Sequence, residues 1–282
     1  PLEPSMTRVI LATFFLAFTS NAISQAITVT NTFVDGQTAS AAEVNQNFTD
    51  LATKVNAIVR KDDDASFTAV GYQALNQNTS SGRFNTAVGY QALVSNESGT
   101  LNTATGHKAL FTNITGKQNS AFGGFALQNN TADDNTAIGY KTLANNTSGS
   151  TNIAIGFNSL ISNTGGSDNI AVGTYALAYN STGIKNNAFG SNALLYNTTG
   201  SYNSAIGDFA LFSNSTGNFN TALGRAAGFA ATGSGNVFIG YGAGEDQVEG
   251  DDKLYISSGI LNFDENGDPA SLTDRNLVKD DF

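Results

Sequence analysis

The chain has no cysteine and no tryptophan, one histidine, one methionine and three prolines, and only 13% of its residues are charged. Without cysteine there is no disulfide framework. The chain can enter an oxidising compartment, and its stability must come from packing and stacking. A single histidine, His107, leaves little material for a Ser–His–Asp arrangement, and nothing marks a positioned third group. Gly-rich stretches such as Gly233-Ser234-Gly235 lack the Lys-Ser/Thr of a phosphate-binding loop. A net charge of −10 with no basic stripe makes a poor nucleic-acid ligand, because phosphate neutralisation needs clustered Lys and Arg. Gly, Asn, Ser and Thr fill the polar quota. Such a low-charge, turn-rich composition is typical of extracellular repeat proteins rather than cytosolic enzymes.

What is present in abundance is one stretch, Asn85-Thr86-Ala87-Val88-Gly89-Tyr90-Gln91-Ala92-Leu93, written again and again. Its glycine recurs as Gly71, Gly89, Gly106, Gly123, Gly139, Gly156, Gly173, Gly190, Gly207, Gly224 and Gly240. Subtraction gives seven steps of 17 residues, two of 16 and one of 18. A fixed period of this kind signals a stacked repeat architecture. Four residues before the glycine stands Asn85, Asn102, Asn119, Asn135, Asn152, Asn169, Asn186, Asn203, Asn220 and Asn236. Two before it stands Ala, except in the last copy, which has Phe238. Four after it stands Leu, from Leu75 to Leu211, until Gly228 and Gly244 replace it. Seven after it stands Asn, from Asn78 to Asn214, and a Thr/Ser/Gly turn leads to the next copy.

The expected fold is mainly β: a parallel β-solenoid of about eleven 17-residue coils over residues 65–257. Asn-Thr-Ala-Val-Gly reads as a short strand with Ala and Gly on one side and Val or Ile on the other, one side facing the coil interior. After the glycine, apolar residues at i, i+3 and i+4 suit either a single helical turn or a second short strand. The length slips fall in the Thr/Ser/Gly segment, which marks it as the outer turn. Stacked Asn residues are expected to form amide ladders.

Met6-Thr7-Arg8 followed by Val9–Phe18 reads as a signal peptide within residues 1–26, with cleavage after Ser24 or Ala26. Residues 27–64 hold a strand at Ile27–Val34 and a helix opened by the capping-box pattern Ser40-Ala41-Ala42-Glu43. That helix carries Val44, Phe48, Leu51, Val55 and Ile58 at steps of 4, 3, 4 and 3, a heptad seam that serves either oligomerisation or simple end-capping. Residues 258–282 form an acidic tail. There Asp264, Asn266 and Asp268 take calcium-loop positions 1, 3 and 5, but Pro269 stands where such a loop needs Gly and Arg275 where it needs Glu. An acidic solvated turn is the better reading. His107 occupies the slot held by Tyr72, Tyr90 and Tyr140 in sister coils and reads as a surface substitution. No catalytic or cofactor-binding residue is expected.

The elements Asn85-Thr86-Ala87-Val88-Gly89 and Asn152-Ile153-Ala154-Ile155-Gly156 resemble the head repeats of trimeric autotransporter adhesins and related phage tail-fibre proteins. The resemblance covers about two-thirds of the chain. It implies a left-handed parallel β-roll, a homotrimer around one axis, a cell-surface location and adhesion to matrix or other cells, with no cofactor and no catalysis. The chain departs from that family in its longer coil, with an added Ala-Leu-x-x-Asn segment. No membrane strands, stalk or self-cleaving chaperone domain are read after the array. The expected function is therefore an extracellular adhesive rod of a bacterial surface protein. It is not membrane-spanning after signal cleavage, and its partner is an unidentified surface or matrix ligand. A phage-type fibre is the alternative, opposed by the signal peptide. An ice-binding solenoid is a further one, opposed by the interruption of the Thr row at Ile153, Ile170 and Asn187.

Overall fold

In the computed structural model the described residues are 45–48, 59–60, 67–79, 81–246, 250–257 and 278–281. The chain divides into two compact units, residues 1–55 and 56–282. In the first, residues 45–48 are helical, inside the helix expected after the capping box, and Phe48 is exposed. Val44, Leu51, Val55 and Ile58 of the heptad seam lie outside the described residues, as do the signal segment and Asp264, Asn266 and Asp268.

The second unit is a single sheet whose strands lie in sequence order. They are β1 (Val59–Arg60), β2 (Phe67–Val70), β3 (Asn85–Val88), β4 (Thr103–Thr105), β5 (Ser120–Phe122), β6 (Thr136–Ile138) and β7 (Ile153–Ile155). There follow β8 (Ile170–Val172), β9 (Asn187–Phe189), β10 (Ser204–Ile206), β11 (Thr221–Leu223), β12 (Val237–Ile239), β13 (Lys253–Ile256) and β14 (Val278–Asp281). Strands β2 to β13 pair in parallel, each with the strand one coil away, and make the β-solenoid expected from the period. The two outermost strands pair antiparallel: β1 on β2 and β14 on β13. The length slips leave the register intact. Thr68 pairs with Thr86 across 18 residues, and Ser120 with Thr136 across 16, so the outer turns absorb the difference. At about 4.8 Å per coil the stack rises roughly 50 Å.

The strand alternation resolves which side faces in. Ala87, Ala104, Ala121 and their equivalents are 0–1% exposed, whereas Ile155 is 37% and Leu223 49% exposed. The small residues pack across the coil against the leucine column, Leu75 to Leu211, itself 0–1% exposed. A coil this thin has room for one large side chain per layer.

The segment after the glycine takes neither regular form expected of it. It is two consecutive hydrogen-bonded turns, closed by Ala92 N donating to Gly89 O (3.5 Å) and Asn96 N donating to Leu93 O (3.2 Å). Gln91 and Leu93 have φ of 55° and 50°, and the pattern repeats in the sister coils. Left-handed φ turns these amides along the axis. Gln91 N donates to Tyr72 O of the preceding coil (2.8 Å) and Leu93 N to Ala109 O of the next (3.0 Å). A left-handed L-residue costs about 1–2 kcal/mol. The cost is met because these inter-coil bonds satisfy buried backbone groups that no local helix could satisfy in so short a run.

At the end of the array the core is rebuilt. Phe238 and Tyr255, on β12 and β13, enter the interior 1% and 2% exposed and stack at 5.3 Å. The leucine slots opposite them hold Gly228 and Gly244. A Cβ on Gly228 would lie 2.7 Å from the Phe238 ring, and one on Gly244 2.5 Å from it. The two departures from the repeat are thus one volume exchange across the coil: small and large residues swap sides.

Candidate functional site

Two asparagine columns run the length of the stack, both buried. In the first, each side-chain oxygen accepts the backbone N–H of the corresponding Asn one coil on: Asn102 N to Asn85 Oδ1 (2.9 Å), Asn169 N to Asn152 Oδ1 (3.0 Å). Each Nδ2 donates to an outer-turn carbonyl, a glycine's in every coil but one, as Asn152 does to Gly166 O (2.9 Å), while Asn119 donates to Ala132 O (2.8 Å). In the second column, Asn163 Nδ2 donates to Asn146 Oδ1 (2.8 Å) and to the same Gly166 O (2.9 Å). Both ladders converge on one carbonyl per coil. Buried amides require this complete pairing, because an unsatisfied one costs about 1–3 kcal/mol.

The repeat glycines are required by close approach. Gly89 has φ 134°, and a Cβ there would lie 2.6 Å from Gly106 O. A second glycine column, which the sequence reading passed over as turn composition, is equally constrained: a Cβ on Gly166 would meet Asn163 Oδ1 at 2.5 Å. Its signal was the spacing Asn-x-x-Gly, as in Asn163 to Gly166. These glycine and asparagine columns are therefore scaffold, and the structure brings them together as such.

The outer surface carries three columns per strand. The positions three and one before the glycine face outward, for example Thr86 and Val88, and neither column contains a charged residue in eleven rows. The third column, one or two after the glycine, is aromatic over much of its length. Tyr72, Tyr90, His107, Phe125, Tyr140, Phe157 and Tyr175 follow one another with ring centroids 4.8–5.8 Å apart. His107 is exposed and lies flat on Tyr90 at 5.2 Å. Its place is one ring in a stack, as its tyrosine-slot position suggested. A second run, Tyr179, Tyr196, Phe212 and Phe229, lies on the turns of later coils. The parallel pairs cover one another's faces and stabilise successive coils by offset stacking.

Among the described residues no group of three His, Cys, Asp or Glu side chains could hold a metal ion. Burial pushes the Tyr255 hydroxyl above the usual tyrosine value of 10.0. Among the described residues no helix is long and apolar enough to cross a membrane. Comparison with known protein families, with curated proteins and with solved structures gives no match to this chain.

Proposed function

We propose that the chain is an extracellular structural and adhesive rod, secreted through its signal segment and assembled as a homotrimer with the outward sheet face turned to the common axis. The observation that carries this reading is the absence of charge from that face. Eleven rows of two outward positions would hold roughly three charged residues at the chain's 13% average, and they hold none. The central column, Val88, Phe122, Ile138, Ile155 and their equivalents, is apolar in every row but that of Thr105 and 37–49% exposed where it is most open. This column, about 50 Å long and about 7 Å wide, is roughly 350 Å² of apolar surface, the size of patch that marks interaction faces, and it is flanked by an uncharged column that is Thr, Ser or Asn in eight of eleven rows. The repeat resemblance points the same way, and the Val44–Ile58 seam would hold three chains in register.

Light-scattering mass measurement of the mature chain tests the assembly. Three times the chain mass is expected, with Ile138→Asp/Ile155→Asp and Phe48→Asp/Leu51→Asp variants shifted toward the monomer while their coils stay folded. A wild type that stays monomeric across a wide concentration range refutes the trimer. Binding of the coated rod to cells and extracellular matrix, against bare and albumin-coated controls, tests adhesion separately.

A further inference from the structure

One coil differs from its neighbours at the outer turn. Between the two asparagine columns the chain spends six residues from Asn113 to Asn119 and from Asn146 to Asn152, but five from Asn130 to Asn135. The sheet register is unbroken there, so the missing residue is taken from the surface. The result is a shallow, open concavity of about 520 Å³. Its walls are the outer turns of the flanking coils, with Thr115 and Lys117 on one side and Ser148 and Ser150 on the other; its floor is the shortened turn at Thr131 and Ala132, with the exposed Asp133 and Asp134 on the rim. The flanking turns are two coils apart, about 10 Å between backbones. That width admits one ring between them.

The lining has the chemistry of a polyhydroxyl receptor: four hydroxyls, two carboxylates and an ammonium, with no aromatic ring and one alanine. One carboxylate oxygen is already committed, since Asp133 Oδ1 accepts the Lys117 backbone N–H at 2.7 Å. This holds the rim against the first wall. The two acids outnumber the one lysine, so an anionic ligand is repelled. A divalent cation is poorly served, because the carboxylates come from adjacent residues, one is half used, and an ammonium shares the site.

Resting on the adhesive reading above, the geometry points to this notch as a binding site for one ring of a neutral saccharide. The hydroxyls and carboxylates take the sugar hydroxyls as paired donors and acceptors, and the shortened turn supplies the room.

The test uses the full mature chain and beads carrying cellotriose, mannotriose or N-acetylchitotriose, with trigalacturonate as the anionic arm. Three variants accompany it: a glycine inserted between Thr131 and Ala132 to restore the sister-coil length, Asp134→Asn, which keeps a residue tolerant of its φ of 60°, and Ser148→Arg to fill the slot from the exposed wall. Retention of at least one neutral trisaccharide, none of trigalacturonate, and a tenfold or greater loss on insertion and on Ser148→Arg are expected, with a smaller loss for Asp134→Asn. Circular dichroism checks that each variant is folded; should the insertion not fold, the two point variants carry the test. No retention of any neutral trisaccharide by the wild type, or retention unchanged when the notch is filled, overturns the site. Cell and matrix binding that survives such a failure leaves the adhesive reading standing; loss of both removes it as well.

Discussion

Replacing Asn152 by Ala removes one rung from the middle of the first ladder. The side chain donates to Gly166 O (2.9 Å) and to Asn135 Oδ1 (3.1 Å), and it accepts from the Asn169 backbone N–H (3.0 Å). Gly166 O keeps Asn163 as a donor, so that acceptor is not orphaned. The Asn169 amide is, in a site with 0% exposure. Asn152 Oδ1 also accepts from Asn169 Nδ2 (3.2 Å), so four bonds at about 1 kcal/mol each, plus part of the 1–3 kcal/mol penalty for the stranded amide, give a loss of about 4–6 kcal/mol. The loss is local, because each coil touches only its neighbours. A single melting curve would blur it, since long arrays depart from two-state behaviour. Native-state hydrogen exchange is the sharper assay. Amides of β6, β7 and β8 should lose protection by orders of magnitude, while those of β3 and β11 keep theirs. A loss under about 1 kcal/mol at β7, or one spread evenly over the array, would refute the ladder's role.

Gly156→Ala should destabilise by at least about 2 kcal/mol in denaturant titration, since φ is 131° and the new Cβ would lie 2.5 Å from Gly173 O. Thr151→Asn should stabilise by about 0.5–1 kcal/mol, because a β-branched residue sits at φ 58° on the exposed outer turn. Phe238→Ala should cost about 3–5 kcal/mol. Adding Gly228→Leu should recover part of that loss, a coupling readable in a double-mutant cycle. The buried Tyr255 hydroxyl titrates above 10.0, so its contribution is complete below pH 10 and falls as pH climbs past the unfolded tyrosine value towards the raised folded one. Tyr255→Phe should flatten the stability–pH curve in that alkaline window.

The glycine and asparagine columns were legible because a period of 17 placed identical residues on neighbouring strands, and buried amides leave few alternatives to a ladder. The inward face of the strand was legible as a choice of two. The turn segment was not. Local rules give left-handed φ to glycine, yet Leu75 to Leu211 adopt it, since only the neighbouring coil, absent from any local window, supplies their partners. Phe238, Gly228 and Gly244 were visible as three exceptions. Their mutual compensation needed the knowledge that strand and turn positions meet across the coil. The notch was visible only as a step of 16, because a deletion carries no chemistry until its neighbours' side chains are known to stand around it.

The inter-coil bonds of the ladders span 13–18 residues of sequence, so no rung ties one end of the array to the other. Under tension applied at the chain ends, the coils therefore bear load in series. Releasing one coil shortens the rod by about 4.8 Å but frees about 17 residues, roughly 60 Å of extended chain. A protein holding two surfaces together in flow would lengthen by many times its folded rise before parting. Its force–extension trace should show a train of nearly equal steps, one per coil, and a single all-or-none rupture would contradict loading in series.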